Sequence, residues 1–195
     1  MGKQHRLDIS NNDDICQVPP FFFLSHCCNS LVLLTVQTMN QLSDQFGIEN
    51  VVWFEELADG YPVVRIRNAH AEASIALHGA HLIDFSLTDG KPLIFTSKAA
   101  IFREGKAIRG GIPICWPWFS AHPDKSPSHG YARISFWKLE SVSSQDDNTR
   151  LTFSLPTRDD TGLSAKLDFV IGNELQLTLS SFNGGASTQI FSEAL

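Results

Sequence analysis

The stretch KLDFVIGNELQLTLS, residues 166–180, decides the fold class. Apolar side chains occupy every second position on each side of Gly172-Asn173: Leu167, Phe169, Ile171, Leu175, Leu177 and Leu179. A period of two places such side chains on one face of an extended strand. A Gly-Asn pair between two such runs is typical of a two-residue β-hairpin. The stretch therefore predicts two antiparallel strands joined by a tight turn.

The same period of two recurs along most of the chain. Alternating or short apolar runs are found at Tyr61–Arg67, Ala71–Leu77, Leu82–Leu87, Leu93–Phe95, Leu151–Leu155 and Thr188–Leu195. The only helical pattern is a short one near Asn40–Phe46. Many short strands without a helix long enough for a parallel crossover predict an all-β, antiparallel β-sandwich. Because the last run reaches the final residue without a turn, we expect the sandwich to be incomplete at its C-terminal end.

Residues 1–38 differ in pattern from the rest of the chain. Their apolar runs, between residues 18 and 36, are short and interrupted by polar side chains, which argues against a membrane span and leaves an export signal as the less favoured alternative. The amphipathic pattern begins at Met39. We therefore predict a leader, residues 1–38, outside a single domain that spans residues 39–195.

Charge and cysteine usage limit the classes of partner. The chain has 15 Lys and Arg against 21 Asp and Glu, a net charge of −6. An acidic balance argues against nucleic acid or an anionic membrane as the main partner, so an anion must bind through a local arginine site. The four cysteines, Cys16, Cys27, Cys28 and Cys115, have no disulfide-framework spacing, which favours a reducing, cytoplasmic location.

Residues 106–133 interrupt the strand pattern. They contain KAIRGGIPICWPWF at 106–119 and SHGYAR at 128–133. Paired glycines allow a positive φ or a close backbone approach. The rings of Trp116, Trp118 and Phe119 suit either a buried aromatic corner or the C–H face of a sugar, and the sequence leaves both interpretations open.

Two arginines, Arg109 and Arg133, accompany this aromatic segment. A planar guanidinium group binds phosphate or carboxylate through two parallel hydrogen bonds. A metal site is not expected. His78 and His81 are three positions apart on a predicted strand and would face opposite sides, with no third ligand at a useful spacing.

These motifs carry a family resemblance. The two runs, with Trp137 and LHGAHL at 77–82, resemble the D-hexose-6-phosphate mutarotases, which are glucose-6-phosphate 1-epimerases of the aldose-1-epimerase superfamily. The similarity extends from Met39 to Leu195. The resemblance implies a galactose mutarotase-like supersandwich. It also implies an isomerase that interconverts the α and β anomers of a hexose 6-phosphate as a monomer without a cofactor.

The resemblance also assigns the site residues. It implies that Arg109 and Arg133 bind the substrate, with a role at its phosphate group. Ser128, which stands where some relatives have a glutamine, and Trp116 of the first motif are also candidate substrate-binding residues. His129 either contacts substrate or orients its loop through hydrogen bonds. The family's catalytic histidine and glutamate are expected beyond Leu195, so no catalytic residue is assigned and the 195 residues alone are expected to be inactive.

Two other classes of function remain open on the sequence. A non-catalytic carbohydrate-binding module would account for the tryptophans, although not for the two arginine motifs. A fragment without independent function is the third class. Binding of neutral sugars with no preference for phosphorylated ones would favour the carbohydrate-binding module.

Overall fold

Two antiparallel sheets make up the computed structural model, which describes residues 39–57, 60–122, 124, 126–157, 160–190 and 192. These residues belong to a compact unit that spans Thr35–Leu195. The predicted leader, residues 1–38, lies outside the described residues. No helix in the described part of the chain is long and apolar enough to cross a membrane.

Each sheet is a meander in which neighbouring strands are also consecutive in the chain. The first sheet contains β1 (Val52–Leu57), β2 (Tyr61–Arg67), β3 (Ala71–Ala76), β4 (His81–Leu87) and β5 (Pro92–Ile94). The second contains β6 (Lys138–Gln145), β7 (Asn148–Leu155), β8 (Leu163–Ile171) and β9 (Leu175–Asn183). Residues 39–46 are helical, as predicted. The predicted all-β, antiparallel class is confirmed.

The inner faces of the two sheets share one apolar core. The first sheet contributes Val64, Ile66 and Ile75, and the second contributes Phe153 and Phe169. The two phenylalanine rings pack edge to face, with centroids 5.7 Å apart. Burial of a large apolar side chain contributes about 1.5–3 kcal/mol, so the alternating residues account for the packing of the two sheets.

The first sheet is covered on its outer face as well. Tyr61 and Val63 from β2 and Ile83 from β4 pack there against Ile108, which comes from the long connection after β5. An element buried on both faces loses the polar alternation of a half-exposed strand. The packing of Ile108 places the segment just before Arg109 on the outer face of the first sheet.

The β8–β9 hairpin corrects one turn prediction. Ile171 pairs with Leu175, so the loop has three residues, Gly172, Asn173 and Glu174, and the predicted two-residue loop is wrong. The apolar pattern explains the difference. A two-residue loop would place Ile171 opposite Glu174, whereas the observed register pairs Phe169 with Leu177 on the same face.

The C-terminal residues also differ from the expectation of a strand over Thr188–Leu195. Among the described residues of this segment, 188–190 and 192, none is in a strand. Ser192 donates its N–H to the Pro117 carbonyl oxygen at 3.1 Å, and its hydroxyl accepts from the Phe119 N–H at 3.0 Å. Pro117 has no N–H that could donate back to Ser192, so this hydrogen bond is not continued as a β-ladder.

Candidate functional site

The site is built around residues 77–82, which we call the central turn and which comprise the connection between β3 and β4 and the first two residues of β4. The first arginine motif, residues 109–112, joins it on one flank through a hydrogen bond from the Ile112 N–H to the Leu82 carbonyl oxygen, 2.9 Å long. This contact places residues separated by about thirty positions side by side. Backbone pairing thus positions the first motif against the sheet.

The second arginine motif, residues 128–133, reaches the same turn through the residues that follow it. The Gly79 N–H donates to the Ser135 carbonyl oxygen at 2.7 Å, and the Trp137 N–H donates to the Leu77 carbonyl oxygen at 3.0 Å. A Cβ added at Gly79 would lie 2.8 Å from the Arg133 carbonyl oxygen, and Gly79 has a φ of +81°. Glycine at this position therefore permits the close approach of the second motif.

The positions of His78 and His81 correct the prediction that they lie on opposite faces of one strand. β3 ends at Ala76 and β4 begins at His81, so a turn with positive φ at Gly79 and Ala80 separates the two histidines. Both side chains are 0% exposed. Within the described residues no group of three His, Cys, Asp or Glu side chains could hold a metal ion.

The two arginine motifs are also joined to each other. Trp116 forms an isolated parallel bridge with Gly130, and the Trp116 carbonyl oxygen accepts from the Ala132 N–H at 3.2 Å. Gly130 has a φ of +70°, and a Cβ added there would overlap the Trp116 carbonyl oxygen. This contact holds the second motif to the aromatic segment that follows the first.

The sequence left open whether Trp116 belongs to a buried aromatic corner or to a sugar-binding surface. In the structure Trp116 belongs to the buried corner. Its side chain is 0% exposed, its indole N–H donates to the Ser181 hydroxyl at 2.9 Å, and its ring packs edge to face on Tyr131. Trp118 is also buried, at 8% exposure, and Phe119 is exposed. In this structure Trp116 supports the site from within the core and presents no ring face to a ligand.

Arg133 is held with part of its guanidinium group unpaired. One terminal nitrogen, Nη2, donates to the Ser128 carbonyl oxygen at 2.9 Å. The Nε–H is buried and has no hydrogen-bond partner. A buried unpaired donor costs about 1–3 kcal/mol, so this atom marks a position where a polar ligand group is favoured.

Arg109 lies in the first motif with its side chain exposed. Its carbonyl oxygen accepts from the Ser97 N–H at 2.9 Å, which fixes the backbone on which the guanidinium group is carried. Neither Arg109 nor Arg133 has a carboxylate partner within the described residues. Arg65, on the first sheet, contrasts with both, because it pairs with Glu55 at 2.6 Å and Asp84 at 3.2 Å.

Ser128 and His129 shape the loop that carries Arg133. Ser128 is exposed and takes part through its carbonyl oxygen. His129 donates its N–H to the Ser120 carbonyl oxygen at 2.8 Å, and its Nδ1 accepts from the Ser120 N–H at 3.1 Å. Its ring packs on Phe119 with centroids 5.0 Å apart. These contacts give His129 a loop-orienting role.

Burial keeps His81 and the neighbouring His78 neutral. The pKa of His81 is lowered to about 4, chiefly by burial and also by the nearby His78 and Arg133, against the opposing effect of its hydrogen bond to the Gly110 carbonyl. Burial also lowers the pKa of His78. For Cys115, burial raises the thiol pKa and the Arg133 cation opposes it. Arg133 is therefore electrostatically coupled to both His81 and Cys115.

We expect the protein to lose stability as the pH falls below the ordinary histidine pKa. The folded-state pKa of His81 is lowered, so the unfolded chain binds a proton that the folded protein does not, and protonation favours unfolding. The free energy of unfolding should drop by about 2 kcal/mol between about pH 7 and pH 5 through this group alone. Urea unfolding at several pH values measures the drop. His81→Gln should flatten the curve, and parallel curves for the two proteins would contradict the assignment.

Two surface grooves are found on the protein, the first of them next to Leu77 of the central turn. One, of about 340 Å³, lies beside helix 39–46 and is lined mainly by apolar side chains, among them Leu42, Phe46 and Trp137. The other, of about 380 Å³, lies on the second sheet and includes Lys166 and Phe182. None of the predicted site residues lines either groove.

Comparison with known proteins identifies the family. The sequence profile of the aldose 1-epimerases matches residues 62–184, well over half of the chain. The chain belongs to the aldose 1-epimerase family. The match includes the central turn and both arginine motifs, so the site described above lies within the family domain.

Relatives in the aldose 1-epimerase family include a Salmonella typhimurium protein provisionally named glucose-6-phosphate 1-epimerase. It is 33% identical over 137 residues, which is 70% of this chain and 44% of the relative. A solved Salmonella typhimurium structure, provisionally named a mutarotase (YeaD), superimposes with a TM-score of 0.65 at 28% identity, covering 74% of this chain and 52% of that one. The structure of HI1317 gives 0.63 at 32% identity, with coverages of 71% and 50%.

These superpositions confirm the galactose mutarotase-like β-sandwich. The chain spans less than half the length of the curated aldose 1-epimerase relatives that it matches.

His81 is a residue of the site that the sequence pattern did not identify as a site residue. The spacing of His81 and His78 argues only against a metal site, whereas the repeated histidines of LHGAHL, beside a Gly-Ala turn, are the signal for a buried polar position.

Proposed function

We propose that this chain supplies the sugar-phosphate-binding part of a glucose-6-phosphate 1-epimerase. The observation that carries the proposal is the buried, unpaired Nε–H of Arg133. It lies in a motif that contacts the central turn, as the motif of Arg109 does, and Arg109 likewise has no carboxylate partner in the described part of the chain. Arginines without internal counter-ions at one site favour an anionic ligand, and the planar guanidinium suits a phosphate group.

The reaction itself needs an acid and a base on opposite sides of one bond change. A base removes the proton of the anomeric hydroxyl while an acid protonates the ring oxygen, the ring opens, and closure after rotation gives the other anomer. In our proposal Arg133 and Arg109 hold the phosphate group and so fix the sugar relative to that pair. The resemblance assigns the acid and base to a histidine and a glutamate beyond Leu195, so we propose that residues 1–195 alone bind ligand without accelerating the exchange.

A cytoplasmic location is part of the same proposal. Cys115 is a free, buried thiol, which is consistent with a reducing compartment.

The sugar-phosphate class of ligand is supported by the names of the curated relatives.

Calorimetric titration of the full 195-residue chain tests the proposed ligand. We expect glucose 6-phosphate and inorganic phosphate to bind, and glucose to bind at least about 10-fold more weakly than glucose 6-phosphate, because a charge-assisted hydrogen bond contributes about 1.5–3 kcal/mol. Nuclear magnetic resonance of the anomeric protons measures exchange in the same samples, with no acceleration expected. Equal affinity for glucose and glucose 6-phosphate would contradict the phosphate assignment.

The alternative of a neutral carbohydrate-binding module loses its main support in the structure. Sugar-stacking modules present exposed aromatic faces, whereas Trp116 and Trp118 are buried. Phe119 is the exposed ring of the segment, at 51%. Retained glucose binding in a Phe119→Ala variant would remove the remaining argument for that function.

A further inference from the structure

The buried side chain of His81 contacts the first arginine motif directly. His81 is the first residue of β4 and is 0% exposed. Its Nε2 lies 2.8 Å from the Gly110 carbonyl oxygen. A carbonyl oxygen can only accept a hydrogen bond, so Nε2 carries the proton and Nδ1 of the neutral ring is an acceptor.

The Gly110-Gly111 turn is shaped around this ring. Both glycines have positive φ, +94° and +67°. A Cβ added at Gly111 would lie 2.6 Å from the His81 Nε2 and would overlap the Leu82 carbonyl oxygen. Arg109 immediately precedes the turn, so the position of the turn decides where the Arg109 side chain begins. His81 is the side chain that bonds this turn to the sheet.

The second ring nitrogen of His81, Nδ1, indicates a binding position for a polar ligand group. The His81 Nδ1 is buried and has no hydrogen-bond partner, and the same holds for the Arg133 Nε–H. The Arg133 cation is close enough to lower the pKa of His81. An unpaired acceptor and an unpaired donor in one site can be satisfied by a polar group that accepts one hydrogen bond and donates another. His81 therefore contacts the first arginine motif directly and is influenced by the charge of Arg133 in the second.

We propose that His81 is a positioning residue of the phosphate-binding site, which holds the Arg109–Gly111 turn through the Gly110 carbonyl oxygen. The inference rests on the proposed function, because it assigns a purpose to the turn that carries Arg109. A neutral ring serves this role better than a cation, since a charged imidazolium would repel Arg133. Loss of the Nε2–H should let the turn move while both arginines remain.

Two substitutions of His81 and a matched control separate positioning from general stability. His81→Leu removes the donor, and His81→Gln restores an N–H of similar reach. His78→Leu is the control, because His78 is equally buried but bonds to Tyr61 and to the Gly105 N–H rather than to the first motif. Calorimetry should show His81→Leu binding glucose 6-phosphate and inorganic phosphate about 10-fold more weakly, with His81→Gln and His78→Leu within about 3-fold of the parent chain.

Equal affinity in His81→Leu and the parent, or equal losses in His81→Leu and His78→Leu, would overturn the inference. Amide exchange gives a readout that needs no ligand. The Gly111 N–H donates to the Phe95 carbonyl oxygen at 2.9 Å, and its exchange should accelerate in both unliganded His81 variants, more in His81→Leu than in His81→Gln. Unchanged exchange at Gly111 would overturn the positioning role even if phosphate binds.

The parent protein provides the remaining tests. Nitrogen-15 resonances of His81 should show Nε2 protonated and Nδ1 unprotonated at neutral pH, and the opposite tautomer would overturn the inference. This measurement uses the parent protein, so it tests the inference even if His81→Leu does not fold. If the parent chain binds no phosphate ligand, the proposed function fails. The exchange and tautomer results then show separately whether His81 holds the turn.

Discussion

Replacement of Arg133 by alanine should weaken binding of glucose 6-phosphate by about 10- to 150-fold, because a charge-assisted hydrogen bond to the phosphate, which contributes about 1.5–3 kcal/mol, would be lost. Glucose should lose no more than about 3-fold, since its hydroxyl groups depend less on the cation. Arg133 is suited to this role because its Nη2 is held by the Ser128 carbonyl oxygen while its Nε–H stays unpaired. Calorimetric titration with both sugars measures the difference.

Two further variants make this prediction specific. Arg133→Lys keeps the charge and loses the planar fork, so its affinity for glucose 6-phosphate should lie between those of the parent and Arg133→Ala. Arg150→Ala removes an exposed arginine from β7 of the second sheet and should leave both affinities unchanged. If Arg133→Ala weakens glucose and glucose 6-phosphate equally, Arg133 does not bind the phosphate group.

The largest effect on stability is expected for Gly130→Ala. Gly130 has a φ of +70°, and the added Cβ would overlap the carbonyl oxygen of Trp116, a backbone atom in a fully buried segment. The left-handed conformation costs about 1–2 kcal/mol for alanine, and displacement of a buried backbone adds to it, so the free energy of unfolding should fall by about 3 kcal/mol or more. Urea unfolding provides the measurement.

Gly105→Ala is the matched control for this substitution. Gly105 has nearly the same φ, +71°, and a Cβ added there has no atom within 4 Å. Its loss should therefore be limited to the left-handed strain, about 1–2 kcal/mol. The difference between the two variants isolates the contact between Gly130 and Trp116. Similar losses in both would show that this contact does not hold the second arginine motif in place.

β2, β7 and β8 were predictable because their pattern is local, whereas no strand was predicted at β1 or β6. In β2, β7 and β8 the alternating residues lie on one face, and the two-residue period places them there whatever the rest of the chain does. The β8–β9 loop was predicted one residue too short because turn composition competes with register. Pairing of Phe169 with Leu177 decided the loop length, and that pairing is a contact between strands.

The predicted strand at the C-terminal end shows the same limit. The β-propensity of residues 188–192 is a local property, whereas a strand also needs a partner with free N–H and C=O groups. Ser192 lies against Pro117, which cannot donate, so the described residues there stay outside any strand. Trp116 was likewise ambiguous, because a large aromatic side chain has the same sequence pattern in a core and at a sugar-binding surface.

The sequence by itself determined the fold class, the family resemblance and the two arginine motifs, since each depends on residues that are near one another in the chain. The tertiary structure alone decided that His81 bonds to Gly110, that Gly79 lies against Arg133, and that Trp116 is covered. These contacts join residues tens of positions apart. They depend on how strands pair and sheets pack, and no local period or composition encodes that arrangement.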